Sequence, residues 1–296
     1  MWSHAFDRRI LSISSHRNKT AFGCEDGWIY LFDSCGLLWS KKLISTYYRG
    51  PFTDVNVLSV DVSDEFVVAG TDFADGKVHL FRLDGGRVWE RQLMSYLGCW
   101  ERPEDVKFVR IDDDRIAAVA GFMEDRLYIM GVDGEIESVE GLGTFIRCMD
   151  LGEIIALGGD DGSYVHDGKL RRLDFPSKDV VVVDDWAVFV KRDGIVSTLG
   201  WSFEAESPKV SASSKIVAVA SGRRVWTFEA DGGKVEEIVF EENVVDLRVV
   251  EDRLVVATED RIYLNGDSID LSNVFKLCDG GALIREGMVV RYLELW

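Results

Sequence analysis

The chain has 296 residues, 47% hydrophobic and 29% charged, enough for a sizeable core in one large β or α/β domain or in two smaller ones. Its 52 acidic and 34 basic residues leave a net charge of -18, a surface that phosphate backbones repel, which disfavours general nucleic-acid binding. No apolar run approaches the roughly 20 residues that span a bilayer. The opening MWSHAFDRRIL lacks the basic and apolar regions of a secretory signal. The scattered cysteines contain no CxxC pair and read as free thiols of a reducing, cytoplasmic compartment.

In chain order, the sequence is a series of short runs of Val, Ile, Leu, Phe and Tyr with period-two alternation. Asp-Gly or Asn-Gly pairs punctuate them, from Asp26-Gly27 through Asp84-Gly85 and Asp133-Gly134 to Asn265-Gly266. Such pairs tolerate the positive φ that tight hairpins demand, so each run is predicted to be a strand and each pair a turn. No long amphipathic helical pattern and no linker interrupts the series, and the chain 1–296 reads as one domain.

Residues 8–43 divide into four strands, RRILSISSH, KTAFGCEDG, WIYLFDSCG and LLWSKKL, here called a to d. Residues 55–93 repeat the plan, ending on RVWERQL. Further units follow at 106–141, 144–175, 178–207, 209–240 and 243–271, while 274–296 supplies only three strands. The missing fourth is MWSHAF: aligned with LLWSKKL and RVWERQL, it places Trp2, Trp39 and Trp89 at one position. In the unit 209–240, Glu236 falls near that tryptophan place. A ring of four-stranded sheets must close or keep unpaired edges, so residues 1–6 are predicted to form the outer strand of the last unit. The expected fold is all-β, an eight-bladed β-propeller. Seven blades result if two of the thinner units between 144 and 274 merge.

The segments FDSCGLLW (Phe32–Trp39) and FRLDGGRVW (Phe81–Trp89) resemble the repeat of PQQ-like β-propellers, with WD-repeat propellers as the neighbouring family. The resemblance extends along the whole chain as repeat rhythm and along two blades as motif. It implies the propeller fold. The family's quinoprotein enzymes carry a disulfide of adjacent cysteines over the cofactor and bind calcium. This chain has no adjacent cysteines, so neither the activity nor a cofactor is carried over.

The four histidines, His4, His16, His79 and His166, lack the spacing of a zinc site and are read as structural. GGDDG (158–162) lacks the signature of a phosphate or calcium loop and is read as a hairpin turn. The acidic runs at 112–114 and 184–185 are read as solvated turns. Arg110, Arg147, Ser211 and Arg248 on strands a are candidate lining of the central channel.

The most informative feature is the placement of the long connections. ISTYYRGPFTD (44–54) and MSYLGCWERPED (94–105) join consecutive blades, and the b–c turns at 70–76 and 121–126 are enlarged or apolar. In an up-and-down meander these connections emerge at the same end. They carry Tyr47, Tyr48, Arg49, Phe52, Phe73, Tyr96, Trp100, Arg102, Phe122 and Met123, the residue types that dominate interface hot spots. The expected function is a non-enzymatic interaction scaffold that binds a protein or peptide partner through the loops of blades 1 to 3, with no metal, membrane or nucleic-acid partner. The alternative is a small-ligand binder or an enzyme with its site at the mouth of the channel.

Overall fold

Asp-Gly pairs close the hairpins as their φ freedom allows. Gly85, Gly134 and Gly232 take φ of 86°, 86° and 96°. The preceding carboxylates accept backbone N–H bonds, Asp84 from Gly86 at 2.7 Å, Asp133 from Glu135 at 3.0 Å and Asp231 from Gly233 at 3.0 Å. The structure, a computed structural model, describes residues 1–45, 54–97, 100–112, 114–122, 124–198, 200–250, 252–264, 267–271, 273–278, 280–286 and 288–295. For 95–97, 100 and 101 it describes the backbone alone.

The strands form eight four-stranded antiparallel sheets, seven of them consecutive meanders. The eighth has Trp2–Ala5 beside Val289–Glu294, followed by Gly281–Glu286 and Val274–Cys278. The fold is therefore an eight-bladed β-propeller with the first strand completing the last blade, as the tryptophan alignment predicts. A two-stranded hairpin, Met94–Leu97 with Trp100–Pro103, stands outside the eight sheets. The sequence had suggested only a long connection there.

The chain divides into two compact units, Met1–Phe145 and Ile146–Trp296. The first holds Trp2–Ala5 and blades 1 to 3. Its core lies between blades: Ala21, Ile29 and Leu31 of blade 1 pack with Val60, Val67 and Phe81 of blade 2, and Leu80 and Val78 pack with Val109, Ile116 and Met130 of blade 3. At its start, Trp2 stacks on Phe32 with centroids 4.2 Å apart, and Phe6 packs against Phe22 and Tyr30 at 5.0 and 5.1 Å. Burial among these rings lowers the pKa of His4, against the pull of Asp7.

The second unit holds blades 4 to 7 and the three later strands of blade 8. There Val188 and Val190 of blade 5 pack with Val217, Val219 and Phe228 of blade 6, and Ala218 and Val225 of blade 6 with Leu247 and Val256 of blade 7.

Two devices recur between neighbouring blades. On strands a, a short polar side chain satisfies a backbone N–H of the next strand a, which has no ladder partner on that side. Ser59 accepts from Val109 at 3.1 Å, Asp61 from Ile111 at 2.9 Å, Asp150 from Val182 at 2.8 Å, Ser211 from Val249 at 3.0 Å and Asp246 from Leu277 at 2.8 Å. Ser211, a candidate channel-lining residue in the sequence, thus serves this ladder.

The second device is a tryptophan on strand d, or just before it in blade 5, that wedges against the c–d turn of the next blade. Trp39 Nε1 donates to Leu83 O at 2.9 Å, Trp89 Nε1 to Val132 O at 2.7 Å and Trp201 Nε1 to Ala230 O at 3.1 Å. Each ring lies over the turn glycine: a Cβ placed on Gly134 would sit 3.0 Å from Trp89 Cδ2, and one on Gly232 would sit 2.5 Å from Trp201 Cγ. Only glycine admits so close an approach.

Candidate partner-docking face

The b–c turn of blade 2 displays Phe73 through a set of fixed hydrogen bonds. Asp72 O accepts from Asp75 N at 3.0 Å and Gly76 N at 2.7 Å, and its side chain accepts from Ala74 N and Asn56 Nδ2 at 3.2 and 2.8 Å. Phe73 N donates to Asp105 Oδ1 at 2.7 Å. Burial raises the Asp72 carboxyl above its ordinary range, partly offset by the bonds from Asn56 and Ala74, with Asp105 nearby adding to the rise. Phe73 as a whole remains 44% exposed.

The b–c turn of blade 3 carries Phe122, 41% exposed. Arg102 comes from the inserted hairpin, where it is the register partner of Ser95. Its guanidinium carbon stands 3.8 Å from the centroid of Phe122 and 5.1 Å from that of Phe73. Three connections far apart in sequence thus deliver one Phe–Arg–Phe stack. Two cation–π contacts of about 0.5–1 kcal/mol each hold the guanidinium in place. The ion pairs of this region engage Lys107, Arg115 and Arg126; among the described residues none engages Arg102.

The floor beneath is buried and charged. Glu104 is 1% exposed, accepts from Tyr128 Oη at 2.8 Å and lies 3.8 Å from Arg126 Nη1. Burial pushes the Glu104 carboxyl above its ordinary range, more than the Tyr128 bond and the Arg126 charge pull it down. It also raises Tyr128, with Glu104 adding to the rise. Lys107 Nζ meets the buried Asp125 at 2.6 Å and lies 5.0 Å from the Phe145 ring.

Behind this face, in blade 2, a second buried network joins Asp75 to His79 Nε2 at 3.2 Å and to Lys77 at 3.3 Å, and Lys77 to Glu90 at 2.9 Å. Burial works to raise Asp75, but His79 and Lys77 together outweigh it and hold the carboxyl below its ordinary range. The sequence marked Asp75 only as a turn residue. Its partner His79, four positions on, was the available signal.

Of the residues singled out from sequence, Phe73, Arg102 and Phe122 are brought together. Tyr96 and Trp100 lie on the hairpin, where the backbone pairs Tyr96 with Glu101 and Trp100 with Leu97. Tyr47, Tyr48, Arg49, Phe52 and Met123 lie outside the described residues. The stretch 158–162 joins Ile155–Gly159 to Ser163–His166, and its Asp160 pairs with Arg147 at 2.6 Å and with Arg192. Asp112 caps its own turn, accepting from Arg115 N at 2.9 Å and from the Arg115 guanidinium. Among the described residues no group of three or more His, Cys, Asp or Glu side chains is placed to hold a metal ion.

No protein-family model matches the chain, and no curated protein matches it in sequence. Solved structures do match in fold. BamB from Moraxella catarrhalis is 13% identical with a TM-score of 0.66, the match covering 100% of this chain and 99% of that one. Sqt1 from Saccharomyces cerevisiae is 12% identical with a TM-score of 0.64, covering 99% and 97%. The WD40 repeats of RRP9 are 11% identical with a TM-score of 0.55, covering 86% and 88%. At these identities the likeness is one of fold, and the fold it shows is the β-propeller.

Proposed function

We propose that this protein is a non-enzymatic scaffold of the cytoplasm that holds a protein or peptide partner on the loops of blades 1 to 3. The observation that carries the reading is the Phe73–Arg102–Phe122 stack. Two phenylalanines, each more than 40% exposed, share one cation, and backbone bonds fix the turn that carries Phe73, which suits the pair to lose water against a partner at small cost in rotamer entropy. The guanidinium keeps its N–H edges for a carboxylate, which fits a partner presenting an acidic residue beside apolar ones. Tyr47, Tyr48, Arg49, Phe52, Tyr96 and Trp100, expected from sequence to contact the partner, belong to the same proposal. Likeness to WD40-type propellers supports the scaffold reading at the level of fold.

The test is capture of partners from cell extract by the wild type, by Phe73→Ala/Phe122→Ala and by Arg102→Ala. Titration of each identified partner against the purified variants follows. The expected result is loss of one partner in both variants, with the melting temperature nearly unchanged. Equal capture by all three proteins overturns the proposal. So does a large fall in melting temperature, because the rings then serve to cap the blades.

A further inference from the structure

The tryptophan wedge is missing at the junction of blades 6 and 7, and an open groove stands in its place. The registers make the comparison direct. Trp39 lies opposite Leu31 and Trp89 opposite Leu80, each just after a bulge on strand d. Glu236 lies opposite Thr227 after the same bulge. Trp201, bonded to Thr198 through its carbonyl, fills that place in blade 5. Beside Glu236 the surface opens into a cavity of about 750 Å³. Its walls are Ile216, Thr227 and Ile238 of blade 6 and Leu254, Val256 and Tyr263 of blade 7, with the exposed Val239 at its rim. The groove is mostly apolar, and blade 7 leaves it open because its strands c and d have only 4 residues each, Arg261–Leu264 and Asp267–Asp270.

Charge says what would enter. Glu237 is paired with Lys234 and Arg224, and Glu241 with Arg261. Glu236, exposed at the groove, has no cationic partner among the described residues. A segment with an indole for the apolar walls and a lysine or arginine for Glu236 matches both features. The chain itself shows that chemistry at blade 1, where Trp39 is followed by Lys41 and Lys42.

We propose that the blade 6–7 groove is a docking site for an extended segment of a partner protein that inserts a tryptophan where the fold's own wedge is absent, and pairs a nearby basic residue with Glu236. This site uses none of the residues of the blade 2–3 face, so the two readings stand or fall separately.

The probe is a fluorescein-labelled peptide of residues 36–43, GLLWSKKL, titrated against the full chain by anisotropy. Saturable sub-millimolar binding is expected, weakened about tenfold or more when the peptide carries alanine for tryptophan. Glu236→Trp restores the wedge from within, and is expected to abolish peptide binding while raising the melting temperature. Glu236→Lys, at an exposed position that folding tolerates, is expected to weaken binding several-fold, less so in high salt. No saturable binding, equal binding of the alanine peptide, or binding indifferent to both variants overturns the proposal. Self-association of the wild type that Glu236→Trp abolishes also overturns it, by assigning the groove to a second copy of this chain.

Discussion

Replacing Trp89 by alanine removes a mostly buried indole, its bond to Val132 O and its contact with Gly134. A large aromatic side chain buries about 150–250 Å², and at about 25 cal/mol per Å² the partly exposed ring accounts for about 3–4 kcal/mol. The hydrogen bond adds about 1 kcal/mol, so the alanine variant should lose about 4 kcal/mol, within the usual span for such truncations. Phenylalanine keeps most of the area and loses the bond, for about 2 kcal/mol. Gly134→Ala places a methyl 3.0 Å from the indole at a φ of 86°, and should cost more than about 1 kcal/mol. Urea unfolding followed by far-UV circular dichroism measures all three. In the double variant Trp89→Ala/Gly134→Ala the steric part of the glycine effect should vanish, leaving a sum smaller than its parts. An alanine variant within about 0.5 kcal/mol of wild type, or full additivity in the double variant, would refute the wedge as the tie between blades.

Two further outcomes follow from titrating groups. Glu104 has a raised folded pKa, so the folded state is favoured while the group is protonated and loses that advantage as pH rises through the window above about 4.5. Glu104→Gln should therefore gain stability relative to wild type between about pH 4 and about pH 7 in paired urea titrations, and a difference that stays flat across that range contradicts the assignment. The Cys24 thiol is buried and pushed up to about 12, chiefly by burial and further by Asp7 and Glu25. A disulfide reagent at mildly alkaline pH should modify the exposed Cys35 at once and Cys24 only on unfolding, as peptide mapping would show. Prompt labelling of Cys24 in the native protein would count against its placement.

The meander was legible because the two signals that define it are local. Alternation marks each strand, Asp-Gly marks each turn, and the tryptophans of LLWSKKL and RVWERQL mark strand d, so Trp2 could be matched to them. Trp201 was harder to place, since it precedes its strand Ser202–Glu204 and joins the pattern only through the bond with Thr198. The hairpin Met94–Pro103 was not legible: two runs of 4 residues around Gly-Cys lack both alternation and a turn pair. At the site, parity of the meander was enough to bring Phe73 and Phe122 to one end. It could not foresee that Arg102 would lie between them, because that depends on the hairpin's register. The Asp75–His79–Lys77 network escaped notice for a related reason, as burial of a turn residue is decided by the neighbouring blade.

The tryptophan wedge has a direction, since the indole always belongs to one blade and the accepting carbonyl and glycine to its successor. A blade is therefore not a self-sufficient cassette. Grafting one into another propeller transplants half of two different joints, a donor that needs a fitting recipient downstream and a recipient that needs a donor upstream. Chimeras cut between a c–d turn and the strand d that follows it, so that each strand d travels with the c–d turn of the next blade, should assemble more readily than those that exchange whole sheets.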